Sequence, residues 1–326
     1  MKIVKKTQTY INYLLLLLFI ILLIVLYFYF NVYEKFISNS NKMTSQDIIT
    51  GEKLQNICDY YIGNKDDLNF NPSIKIQTHK HIFIDDESSY SNIVNLNIKN
   101  IFCYTHILAD NNKLIVLLKN INTPFNILFH NSDHEFNNNH INLLNIPNLK
   151  KIYTQNINIL PNDRLIPLPI GIANSMWGHG NLSIWDDVLN NVNFDNKRNN
   201  IYFNFSFTTG SRKEVFDIVK SKNIENISNL DYKSYLELLS SYKFCICPEG
   251  NGIDTHRFWE CLYLKVIPIC KKNYVTEYYS KLFPTVLLDN WQDFDTTILD
   301  DFYKNADWLN YNQLSFETLK HTILNS

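Results

Sequence analysis

Residues 247 to 270 read CPEGNGIDTHRFWECLYLKVIPIC, and within that stretch stand an imidazole, a guanidinium and a carboxylate: His256, Arg257 and Glu260. On a helix the three fall within an arc of roughly 100°, at about 100° per residue, with Phe258 and Leu262 on the opposite side. One face packs and the other is left to work. The strand KFCIC precedes them, and Pro248, Gly250 and Gly252 end it and let the backbone come close to a ligand. Asp254 or Thr255 can cap the helix. A helix N-terminus behind glycines attracts anions, and an Arg in its first turn suits phosphate. Glu260, one turn deeper, can accept hydrogen bonds from sugar hydroxyls. The set fits a nucleoside diphosphate, with ribose on Glu260 and phosphate on Arg257. The competing account is an Arg257–Glu260 ion pair at i,i+3 on a solvated face, worth about 0.2–0.5 kcal/mol.

Positioning such a set takes strands and helices in alternation. From His79 onward HIFID, IFCYTHIL, KLIVLL, FNILFH, KKIYTQN and LIPLPI are strand-sized apolar runs between polar connectors. A second series starts at NIYFNFSF (200–207) and continues through SRKEVFDIVKSK, DYKSYLELLSSYK, FCIC, HRFWECLYLK, VIPIC and TVLLD. Between them NNVNFDNKRNN (190–200) has no apolar period and reads as a linker. The expectation is two α/β units facing a crevice, with ligands beyond the carboxyl ends of the strands. The boundaries are 76–195 for the first unit and 196–326 for the second.

The chain has 326 residues, 45% hydrophobic, 14% aromatic and 19% charged, with net charge -2. That composition excludes wholesale disorder, and no global positive field draws the chain to nucleic acid. From Ile11 to Phe30, INYLLLLLFIILLIVLYFYF is uncharged and long enough to span a bilayer. Lys2, Lys5 and Lys6 precede it, so residues 1–10 are expected in the cytosol, 11–30 as a transmembrane anchor and 31–75 as a polar stem. The body is then lumenal, in a single-pass type II protein of the Golgi or ER. Sequons at Asn181, Asn204 and Asn226 agree with that side of the membrane. Six cysteines permit disulfides there. Cys245 and Cys247 share one face of a strand and read as small buried apolar groups, with no second pair at zinc-finger spacing.

The stretch YKFCICPEGNGIDTHRFWECLYLKVIPIC closely resembles the donor-binding segment of exostosin-like glycosyltransferases, in which an R-x-x-E helix precedes an IP strand. FNILFHNSDHEF, KKIYTQN and PIGIANSMWGHGN look like acceptor-side blocks of that group, and YFNFSFTTGSRKE is similar to its first donor-domain strand and phosphate loop. The resemblance spans about residues 79 to 310. It implies two Rossmann-like domains of the GT-B-like type, a nucleotide-sugar donor as co-substrate, no metal or other cofactor, and inversion at the anomeric carbon. It also implies a glycan or glycoprotein acceptor. By position Glu260 would hold the ribose, and Arg257 and Arg212 the diphosphate, with Gly250, Gly252 and His256 around them. Lys265 stands where members often have Gly.

Inversion needs a base within hydrogen-bond reach of the acceptor hydroxyl. HNSDHE (130–135), directly after FNILF, offers His130, Asp133, His134 and Glu135 at a strand end, with Asp133 favoured. Each serves equally well as a loop cap. Gly171, Trp177 and His179 suit an acceptor sugar that stacks and hydrogen-bonds, although Trp177 also fits a domain core. The sole Asp-x-Asp, Asp293-Phe-Asp295, reads as solvated surface. Two alternatives remain: a membrane-tethered carbohydrate-binding protein without turnover, and a fucosyltransferase-like enzyme of the same fold. A nicotinamide site is discounted, because Gly250-Asn-Gly252 lacks a third glycine.

Overall fold

A computed structural model describes residues 20, 22, 25–27, 43–67, 81–194 and 197–326. The chain divides into residues 1–42 and a compact unit of residues 43–326. Most of the expected span at 11–30 lies outside the described residues. Among those that are described, no helix is long and apolar enough to cross a membrane.

Two parallel sheets organise the compact unit. The first has six strands: β1 (Tyr60–Gly63), β2 (His81–Phe83), β3 (Asn100–Tyr104), β4 (Phe125–His130), β5 (Leu149–Thr154) and β6 (Leu165–Pro167), in the order β2-β1-β3-β4-β5-β6. The second has four: β7 (Arg198–Tyr202), β8 (Tyr242–Ile246), β9 (Ile267–Lys271) and β10 (Val286–Leu288), in the order β10-β9-β8-β7. Strands β3 and β4 are buried along their whole length, which is why they read as continuous apolar runs and not as alternating ones. In the first sheet the order reverses at β1, which pairs β2 on one side and β3 on the other. In open parallel sheets such a reversal opens a ligand crevice beyond the strand ends.

Four sequence expectations are corrected. The segment expected as stem (31–75) contributes a helix, Gly51–Asn56, and the strand β1, whose four residues are all buried. β1 is too short, and its flanks too polar, to show a period. KLIVLL, expected as a strand, belongs to the helix Asn111–Leu118, where Leu114, Leu117 and Leu118 are buried at helical spacing. The strand expected over 200–207 ends at Tyr202. The second unit does not keep its C-terminus: in the helix Phe316–Leu324, Phe316 and Ile323 pack with Ile49, Leu54, Tyr61 and Tyr153 of the first sheet's half. Phe316 N also donates to Asp47 O at 2.6 Å. The linker joins the halves between helix Leu182–Asn191 and β7, and residues 195–196 lie outside the described residues.

Candidate active site

The carboxyl ends of the first sheet's strands open into a cavity of about 420 Å³. Its polar wall holds Asp67, His106, His130, Ser132, Asp133 and His256, and its apolar wall Ile170, Ile172, Met176 and Trp177. Left-handed asparagines turn two of the strand ends: Asn131 (φ 58°) follows β4 and Asn156 (φ 49°) follows β5. Asn tolerates that region better than other non-glycine residues. Trp177 is 55% exposed, so it is not core, and it stacks on His179 at 6.2 Å. Gly171 also has positive φ, 64°, and a side chain there would strike the Ile49 carbonyl.

Loop 248–255 of the second half lies on these turns. Gly252 approaches Asn156 so closely that a Cβ would stand 2.7 Å from its amide, and a Cβ on Gly250 would stand 3.1 Å from Arg212 Nη2. The glycines therefore admit protein neighbours, where closeness to a ligand was expected. The helix that follows, His256–Tyr263, starts at Thr255 without a side-chain cap, because Asp254 reaches across to the first half. His256 closes another crossing, with Nδ1 and the Gly171 carbonyl oxygen 2.7 Å apart. Burial holds this imidazole below its usual range.

Arg257 and Arg212 are gathered by backbone carbonyls. Arg257 Nη1 donates to Asn204 O at 2.5 Å, Arg212 Nη1 to Ser206 O at 3.1 Å and Arg212 Nε to Glu249 O at 2.8 Å. Because β7 stops at Tyr202, the Asn204 and Ser206 carbonyls are free to take these donors. Burial and the neighbouring Arg257 both push Arg212 below its usual value. Two like charges are thus held together at the start of two helices, Gly210–Ser221 and His256–Tyr263, neither of which has a side-chain cap. An anion relieves both the repulsion and the open N–H groups.

Glu260 is not on a solvated face. It is 5% exposed, and its two oxygens accept Tyr232 Oη at 3.0 Å and Tyr235 Oη at 2.6 Å. Arg257 Nε stands 3.4 Å from Oε2, and the guanidinium lies over the Tyr235 ring at 4.7 Å. A ribose could reach only the remaining lone pairs of this carboxylate. Both tyrosines were missed in the sequence, where their helix showed only its packing period.

Of the residues expected to supply a base, Asp133 lines the cavity and accepts Asn251 Nδ2 at 3.3 Å. His134 and Glu135 face a separate hollow, where Glu135 accepts Asn158 Nδ2 at 2.8 Å and His134 Nδ1 meets Ser132 Oγ at 3.0 Å. His130 is buried and pushed down to about 4, with its two nitrogens against Asn131 Oδ1 and the Pro169 carbonyl. Sequence reasoning missed His106 and Asp67. His106 follows β3 just as HNSDHE follows β4, a signal that was present, whereas Asp67 fell in the expected stem. Asp293 and Asp295 serve as local caps, on Asn290 N and Thr297 N. Cys245, Cys247 and Cys261 are buried together, with Cys247 and Cys261 sulfurs 3.7 Å apart.

No protein-family model matches the chain, and no curated protein matches it. Among solved structures it is similar to an alpha-glucosyltransferase in complex with UDP-glucose and DNA containing an abasic site, at 11% identity over 82% of this chain and 93% of that one, with TM-score 0.27. It is also similar to an alpha,alpha-trehalose 6-phosphate synthase from Burkholderia multivorans, at 8% identity over 85% of this chain and 78% of that one, with TM-score 0.31.

Proposed function

We propose that the chain is a glycosyltransferase of the exostosin-like kind that moves a sugar from a nucleotide-sugar donor to a hydroxyl of a glycan or glycoprotein. The observation that carries the reading is the Arg212–Arg257 pair at two uncapped helix starts, adjoining through His256 a cavity walled by Trp177 and polar side chains. The donor diphosphate would lie on the two guanidiniums, with its ribose toward Glu260. The acceptor sugar would stack on Trp177. As the glycosidic bond breaks, charge grows on the diphosphate, and fixed cations with helix N–H groups stabilise it without a metal. Direct attack on the face opposite the leaving group then inverts the anomeric centre. Asp133 would stand beside the acceptor hydroxyl. The reading extends to a lumenal, membrane-anchored enzyme on the strength of Lys2, Lys5, Lys6 and the uncharged span 11–30.

The test is incubation of the full-length protein with a panel of UDP-, GDP- and CMP-sugars, scored for nucleotide release and for nucleotide binding by calorimetry. Release from one nucleotide class is expected. Binding of glycans without release would make the chain a carbohydrate-binding protein, and failure to bind any nucleotide would overturn the reading.

A further inference from the structure

His106 and Asp67 flank the point where the first sheet reverses its order: Asp67 follows β1 and His106 follows β3. His106 Nε2 stands 2.8 Å from Asp67 Oδ1, and both residues line the cavity. Asp67 is 5% exposed and is itself held, since Oδ2 accepts Tyr61 Oη at 2.6 Å and Asn64 N at 3.1 Å. Burial alone would raise this carboxyl, but the hydrogen bonds from His106 and Tyr61 outweigh it and hold Asp67 below the usual carboxylate range. An ionised Asp67 selects the tautomer of His106 with hydrogen on Nε2, which leaves the lone pair on Nδ1. Among the described residues no group hydrogen-bonds Nδ1. The ring is stacked on Tyr104 at 5.5 Å and meets the edge of His134 at 6.1 Å, so its plane is fixed.

We propose that His106, oriented by Asp67, is the base that takes the proton from the acceptor hydroxyl. The assignment rests on the glycosyl-transfer reading and names the proton acceptor within it. The hydroxyl proton passes to His106 Nδ1 as the acceptor oxygen bonds to the anomeric carbon. The bond from that carbon to the diphosphate breaks, and its electron pair leaves with the nucleotide. Asp67 stabilises the imidazolium and acts as a positioning residue, the base-and-orienter arrangement that activates hydroxyls elsewhere. Asp133 shares the cavity but lacks such support: it is exposed, and it accepts a hydrogen bond from a loop amide, Asn251 Nδ2, at 3.3 Å. A histidine is the side chain most often found in general-base roles.

The experiment measures nucleotide release from the donor panel, with and without glycan acceptors, for the wild type, His106→Gln, His106→Ala, Asp67→Asn and Asp133→Asn. His106→Gln should lose about 10²–10⁴-fold in turnover, while its affinity for the released nucleotide and its melting temperature stay at wild-type values. Added imidazole should partly restore His106→Ala. Asp67→Asn should lower kcat while leaving KM for the acceptor and the melting temperature at wild-type values, because the ring loses the carboxylate that orients it. Normal turnover in His106→Gln, or loss in Asp133→Asn with retention in His106→Gln, overturns the assignment and leaves the reaction standing. A wild type that cleaves no donor brings down the reaction and the assignment together.

Discussion

Asp254 Oδ2 accepts the backbone N–H of Ile170 at 2.7 Å, tying the loop before the His256–Tyr263 helix to the segment after β6. Its other oxygen accepts Trp259 Nε1 at 2.8 Å, and its own N–H donates to Asn156 Oδ1 at 3.0 Å. One buried carboxylate therefore joins the two halves beside the cavity, where the sequence suggested a helix cap.

Removing it should be felt in stability. Asp254→Ala leaves two buried N–H groups without acceptors, at a cost of about 1–3 kcal/mol in chemical denaturation. Burial pushes the Asp254 carboxyl up to about 7, so the folded chain keeps a proton that an unfolded Asp releases near about 4. Its contribution is fully present below that pH and is lost as pH rises through about 7. The wild type's stability relative to Asp254→Asn should accordingly fall between about pH 4 and pH 7. A difference constant across that window would refute the linkage.

Glu260 should act on both stability and binding. Glu260→Ala strips Tyr232 and Tyr235 of their shared acceptor and Arg257 of its ion-pair partner, and about 1–3 kcal/mol of stability should go with it. Tyr235→Phe should cost less, since Arg257 keeps its carboxylate. Arg257→Ala should weaken nucleoside diphosphate binding roughly 10-fold or more, as expected for a hydrogen-bonded charge. If calorimetry finds diphosphate affinity unchanged in Arg257→Ala, the guanidinium is only a structural partner of Glu260.

Lys265 closes the His256–Tyr263 helix in the left-handed region, φ 50°, with Val266 N donating to Cys261 O at 2.8 Å. That is the position where glycine is favoured. Its ammonium lies over the rings of Tyr311 at 4.6 Å and Phe194 at 5.4 Å, which accounts for a lysine there. Lys265→Ala should be destabilised, because it keeps the backbone strain and loses about 0.5–1 kcal/mol of cation–π attraction. Lys265→Gly should be more stable than Lys265→Ala by about 1 kcal/mol. Equal stability of the two variants would mean that the turn carries no strain.

What could be read without the structure was whatever the chain encodes over a few consecutive residues. The alternation of β4, β5, β8 and β9 with helices was legible because each strand carries a short buried apolar run between polar connectors, and helix 256–263 because its two faces differ in polarity. KLIVLL was misread because a short apolar run has no period that separates strand from helix. The partners that give the polar residues their roles lie farther apart: Tyr235 is 25 positions from Glu260, Asp67 is 39 from His106 and Ile170 is 84 from Asp254. A carboxylate's neighbours depend on which strand ends the sheet order brings side by side, and strand order is settled by how whole faces bury against one another. Local sequence thus determined which residues could do chemistry, and only the packing of two sheets decided that Glu260 is enclosed, Asp254 is a clamp and His106 faces the cavity with a carboxylate behind it.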